Sequence, residues 1–371
     1  MNTTTAPTPI PDEHSTRRME AALFDRIEAS EIEAAGQATV VSLTAVPARR
    51  NTTSRSRWRW VGIGSAAAAA LTVTLVLTDV LGLAGWRGGA DAAAAAVLER
   101  AATTSGQLSD PVVGAGEYLS VETTAMGVAW IDAVPIATLS TDQMYIPADR
   151  SDDWVWFRDL SEPYGTFGPE SRTTSEEYFA SIYAEHGEDY VEKLRAPAGR
   201  WYSGDSQVSP EALADLPRDP HRLLNFIYRT TLGAGPSPDG EALVFIADRL
   251  RSGVLPADVR ASLYEAAALI PGVEFVDDQA TLDGRTGTAI GRVEANGGFR
   301  QDIIIDPDTG LFIGERTTQL TASDGIPADT ITSWTAVTTT VVADAPAGGT
   351  QNGTFDEMGC TTTNGHSVCP Q

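Results

Sequence analysis

The chain has 371 residues, 42% of them hydrophobic and 20% charged, which is enough apolar material for one large core or two smaller ones. Acidic residues outnumber basic ones by 50 to 26, and the resulting charge of -24 argues against a nucleic-acid-binding surface, which needs clustered positive charge. Lys193 is the only lysine and Tyr190 stands three positions before it, so Schiff-base chemistry has one residue to use and a Ser-x-x-Lys pair does not exist.

At the N-terminus, Ser15 is placed to cap a helix running to about Ala35, with Met19, Leu23 and Ile27 four residues apart on one stripe. A single short helix cannot bury its own stripe, so this one either docks on a cytoplasmic protein partner or is only partly ordered. Gln37 to Arg59 reads as linker. Together these form a cytoplasmic segment, 1–58.

From Val61 to Thr78, through Leu71, the chain carries 18 consecutive uncharged residues, and after Asp79 the apolar run resumes to Gly85. A bilayer core needs about 20 helical residues, so the pattern predicts a transmembrane helix within 59–86. Trp58, Trp60 and Trp86 bracket it at headgroup level, while Arg49, Arg50, Arg55, Arg57 and Arg59 crowd the N-terminal flank. By the positive-inside rule the N-terminus is cytoplasmic and the remainder lies outside. Asp79 is near the outer end, where its cost is modest. Ala90-Asp91-Ala92 has the form of a signal-peptide cleavage site, but the long preceding stretch and the length of the run favour a retained anchor. A buried alanine-rich core helix fits the flanking arginines poorly.

Residues 87–371 hold 18 basic and 42 acidic residues, so the whole net charge belongs to the outer part. There the pattern predicts an α+β domain, 87–345: an extracytoplasmic curved antiparallel β-sheet with helices packed on one face. A helix starts near Asp91. Strand-like alternation follows in Glu117–Thr123, Val134–Ile146 and Trp154–Arg158. Helices come next, from Ser175, from Asp219-Pro220 with the aspartate as cap, from Pro238 and from Pro256. A meander closes the domain with Val273–Val276, Thr286–Val293, Phe299–Ile305, Leu311–Thr318 and Thr330–Val342. Asn296-Gly297-Gly298 and Asp306-Pro307-Asp308-Thr309-Gly310 supply its turns. The second turn begins like a calcium loop, but its glycine comes one position early and Thr317 replaces the closing glutamate, so no metal site is assigned.

No catalytic or cofactor-binding residue is assigned. The histidines His14, His186, His221 and His366 are scattered, and no nucleophile elbow, phosphate loop or dinucleotide fingerprint occurs. Asp152-Asp153, Glu176-Glu177 and Asp277-Asp278 are adjacent pairs that point apart on a strand. Cys360 and Cys369 lie in a polar tail, 346–371, and outside the membrane they are expected to form a disulfide. Trp154 and Trp156 share one strand face while Val155 and Phe157 take the other, so this strand is apolar on both sides. The expectation is an apolar groove beside Trp154 and Trp156 that accepts an acyl chain or a hydrophobic peptide.

The arginine-flanked span, Gly116-Glu117-Tyr118-Leu119-Ser120-Val121, Trp154-Val155-Trp156-Phe157, Leu216-Pro217-x-Asp219-Pro220, Leu269-Ile270-Pro271-Gly272-Val273 and Asp306-Pro307-x-Thr309-Gly310-Leu311 follow in a fixed order. In this order the chain resembles an actinobacterial family of single-pass membrane proteins of unknown function, over about residues 55–342. The resemblance implies an actinobacterial host and transfers no functional residues. More distantly, the architecture is similar to lipoprotein carriers and periplasmic regulators of anti-sigma factors. The leading expectation is a non-enzymatic extracytoplasmic binding or sensing domain anchored in the cell membrane. The alternatives are an anti-sigma-type regulator acting through the cytoplasmic helix and a cell-envelope enzyme with an unrecognised site.

Overall fold

Asp91 opens the first helix, α1 (Ala92–Gln107), by accepting the Ala94 N–H at 2.7 Å on one carboxylate oxygen. Its other oxygen accepts the Phe275 N–H at 3.2 Å, so one side chain both caps the helix and ties it to a distant strand. The computed structural model describes residues 88–202, 210–353, 358–363 and 366–368. The expected cytoplasmic helix with Met19, Leu23 and Ile27, the expected span with Val61, Leu71, Asp79 and Gly85, and Cys369 lie outside the described residues. Among the described residues no helix is long and apolar enough to cross a membrane.

Two long strands follow, β1 (Tyr118–Ile131) and β2 (Val134–Pro147), paired without a register break. Asp132 and Ala133 join them with φ of 48° and 66°, the left-handed pair that matches strand twist in a two-residue hairpin. After them come β3 (Asp153–Asp159), β4 (Glu162–Thr166), α2 (Pro169–His186) and β5 (Val191–Pro197). Three helices follow the short α3 (Pro210–Ala214): α4 (Pro220–Thr230), α5 (Pro238–Arg251) and α6 (Ala257–Ala267). Asp219 caps α4 as the sequence pattern indicates, Ser237 caps α5, and each helix has proline in its first turn. The meander is β6 (Val273–Leu282), β7 (Arg285–Glu294), β8 (Phe299–Ile305), β9 (Phe312–Gln319) and β10 (Thr330–Val342). Short strands β11 (Thr350–Gln351), β12 (Thr361–Thr363) and β13 (His366–Val368) belong to the tail.

β10 pairs with β1, so the early strands and the late meander join into one eleven-stranded sheet in the order β11-β5-β3-β2-β1-β10-β9-β8-β7-β6, with β4 also on β2. The expected antiparallel sheet is corrected in one respect: β11 runs parallel to β5, which makes the sheet mixed. The fold is α+β, with a large sheet that does not close.

Alternate strand residues build the core. Leu119, Val121, Ile146, Trp154, Ile290, Ile303, Ile305 and Val337 join one buried cluster with Leu98 of α1, Leu223 and Ile227 of α4, Leu243 and Ile246 of α5, and Leu263 and Tyr264 of α6. A second, smaller cluster holds the residues between them in sequence, including Ala289, Ile304 and Ala336, with Leu282. A Cβ added to Gly314 of β9 would stand 2.4 Å from the side chain of Leu282 in β6, so the sheet coils until non-neighbouring strands touch.

Candidate functional site

Beyond α1 the chain leaves the helix at Leu108 in an extended conformation and crosses over the start of α6. Asp110 holds that crossing in place, accepting the Ala257 N–H and the Arg260 guanidinium, both at 3.0 Å. A carboxylate at a helix N-terminus is favoured by the helix dipole as well as by these bonds. On the opposite wall, the loop between α5 and α6 lies directly against β1 and β10. Gly253 has φ of +69°, and a Cβ there would come within 2.8 Å of Val121 and 2.9 Å of Thr339.

Between these walls runs a cleft with two chambers that share Pro111, Gly253, Leu255 and Arg260. The larger, about 310 Å³, is mainly apolar: Leu108, Leu250, Leu311, Phe312 and Val337 line it, with Arg260 and Arg285. The smaller, about 210 Å³, is lined by Leu119, Ile146 and Pro147 beside Asp110 and Arg150. Of the residues that line the larger chamber, Leu108 is 37% exposed and Leu311 40%, which places them at its rim.

Several arginines outside this cleft hold buried carboxylates. Arg300 and Arg316 both grip the fully buried Asp302, and Arg292 pairs with Glu294 and Asp239. Arg251 meets Glu315, whose carboxyl burial pushes above its ordinary value despite the nearby cation. Within the cleft Arg260 has Asp110, but Arg150 and Arg285 make no ion pair among the described residues. Arg150 donates to the Val254 carbonyl at 3.2 Å. One terminal nitrogen of Arg285 donates to the carbonyls of Ile313 at 2.9 Å and Val337 at 2.7 Å. Burial lowers the pKa of both guanidinium groups, which nonetheless remain charged at neutral pH.

Trp154 and Trp156, beside which the sequence suggests a groove, do not line this cleft. Trp154 is 1% exposed, donates its indole N–H to the Arg150 carbonyl at 3.0 Å and belongs to the main core. Gly199, at φ of +65°, leaves its ring room; a Cβ there would lie 2.5 Å away. Trp156 is half-buried, with its ring 5.4 Å from that of Trp201 and the Arg158 guanidinium 4.6 Å above it. The apolar character of both faces is therefore used by packing: Phe157, on the opposite face, meets Tyr145 edge-on at 5.9 Å.

Other features expected from the sequence sit apart from the cleft. The Asp306 side chain accepts the N–H groups of Asp308 and Thr309, both at 2.9 Å, and so closes the β8–β9 turn. His186 stacks near Tyr190 at the end of α2, and His221 stands exposed in the first turn of α4. A separate concavity of about 410 Å³ is lined by Asp159, Glu162, Glu188 and Asp189 with Tyr183 and Tyr190, an open acidic face.

The α+β sheet with a lined cleft defines the class of this domain, and likeness to known proteins adds no narrower one. The chain matches no family model and no curated protein.

Proposed function

We propose that the chain is a single-pass membrane protein that displays a non-enzymatic binding domain outside the cell and holds an apolar ligand in the larger chamber of the cleft. The observation that carries the reading is the wall of Leu108, Leu250, Leu311, Phe312 and Val337 around about 310 Å³ of open space. Ligand sites are concave and mostly apolar, with a few placed polar groups, and this chamber has that composition. Its charged groups are guanidiniums, which bind and orient but do not exchange protons near neutral pH. That favours binding over catalysis. The anchor at about 61–85 rests on its length, its tryptophan brackets and the five arginines on its inner flank.

A disulfide between Cys360 and Cys369 is part of the proposal. β12 and β13 pair Thr361 with Val368 and Thr363 with His366, and the two cysteines flank these strands in the sequence. Eight residues separate the cysteines, and outside the membrane thiols at such a spacing tend to oxidise.

The test is a titration of the full-length chain, held in an amphipathic polymer, with the neutral fluorophore N-phenyl-1-naphthylamine. Saturable fluorescence enhancement is expected, reduced severalfold in Leu108→Trp, where a larger ring at the half-exposed rim fills the chamber. Equal enhancement in the two proteins would mean that the dye sees only the polymer and the membrane helix, and the reading would fall.

A further inference from the structure

Arg285 sits at the boundary of the larger chamber without a counter-charge, in a chain that carries 50 carboxylates and only 26 basic residues. Its position follows from the coiling of the sheet. The turn at Asp283 and Gly284, both with positive φ, brings the start of β7 to β9 and β10, where the Ile313 and Val337 carbonyls fix one end of the guanidinium. A guanidinium offers five donors in a rigid fork, and these two bonds use one nitrogen. Its remaining donors have no bonded partner among the described residues. Asp283 and Asp306 act on it only from beyond ion-pair distance.

A partly desolvated cation with no paired anion is costly, and several other arginines of this domain that lose water have a carboxylate in contact, as at Asp302 and Glu315. Arg260, the other cation of the chamber, is already engaged by Asp110. The leucines, Phe312 and Val337 offer the space next to Arg285 to something without charge. One ligand meets both conditions: a molecule with an apolar chain and an anionic end.

We infer that the cleft takes a single-chain anionic amphiphile, with its hydrocarbon among Leu108, Leu250, Leu311 and Phe312 and its carboxylate or equivalent acid on the free side of Arg285. This rests on the apolar-binding reading above and narrows it to a ligand class. Charge complementarity selects the occupant: the guanidinium fork matches a carboxylate in two bonds, and a neutral chain of equal length would leave it unanswered.

The test uses the full-length chain in the same polymer and compares displacement of N-phenyl-1-naphthylamine by dodecanoate and by dodecanol. Their chains are of equal length, so the difference reports the head. Dodecanoate should compete at least about tenfold better, the scale of a charge-assisted hydrogen bond. Arg285→Gln should bring the two affinities together, and Arg285→Lys, which keeps the charge but not the fork, should restore part of the preference. Equal competition by both in the wild-type chain would overturn the anionic head and leave the apolar chamber standing. Failure of both to displace a dye that binds the chamber would overturn the amphiphile altogether. A preference that persists in Arg285→Gln would remove Arg285 from the site. Should that variant fail to bind dye at all, Arg285→Lys decides: a weakened preference for dodecanoate is expected, and one as large as in the wild type would overturn the two-bond guanidinium contact.

Discussion

Asp91 does two jobs with one carboxylate, closing the N-terminus of α1 and holding the Phe275 amide of β6. The Ala94 N–H, and then that of Phe275, hold its pKa below the ordinary 3.8 although some desolvation opposes them. A lowered acid pKa means that the folded chain binds the proton less readily than the unfolded one. Its contribution is thus complete above about pH 4 and is lost as the pH falls through the lowered value. Asp91→Ala should cost about 1 kcal/mol at neutral pH by denaturant titration, and the difference from wild type should shrink in acid. The helix start near this residue was legible in the sequence; its bond to β6 was not, since Phe275 lies far along the chain. Arg285 was illegible for a related reason: next to an Asp-Gly turn it looks like any surface arginine, and only the coiling of the sheet carries it to the cleft.

Among the elements, the meander declared itself through alternation and through turn residues such as Asn296-Gly297-Gly298, and β7 to β10 form close to the expected positions. β4 and β5 did not. Pro163 and Gly165 disguise β4, and they are tolerated because it pairs only with β2. β5 alternates charged with small or apolar residues and ends at Pro197, which reads as loop until β3 and β11 flank it. The tail is fastened to this strand: Arg195 donates to the carbonyls of Gly348 at 2.5 Å and Pro346 at 3.3 Å, and the Asn352 N–H donates to the Arg195 carbonyl at 2.6 Å. β12 and β13 form their own two-stranded sheet, so the proposed disulfide would staple a unit apart from the main sheet. Intact mass should rise by two hydrogens on reduction. Replacing both cysteines by serine should leave the unfolding midpoint of the main sheet unchanged; alkylation of both thiols without reductant would remove the bond.

For the whole molecule, the α+β class was readable from element order, and the join of β10 to β1 made one sheet from two halves of the chain. The cleft was not readable, because its walls come from residues near 108, 150, 253, 285, 311 and 338. Tryptophan spacing pointed instead to Trp154 and Trp156, where aromatic area is spent on packing. The proposed placement of the cleft outside the cell has its own check. Protease added to intact protoplasts should remove a C-terminal epitope and spare residues 1–58, and protection of the C-terminus would reverse the proposed orientation.

The account stands most directly on occupancy of the cleft. Full-length wild-type chain and Leu108→Trp would be purified side by side from their host membrane, and the lipids that remain bound extracted and compared by mass spectrometry. The account predicts a single-chain acidic amphiphile retained near one per chain in the wild type and depleted in the variant. The same lipids in the same amounts from both proteins would contradict it.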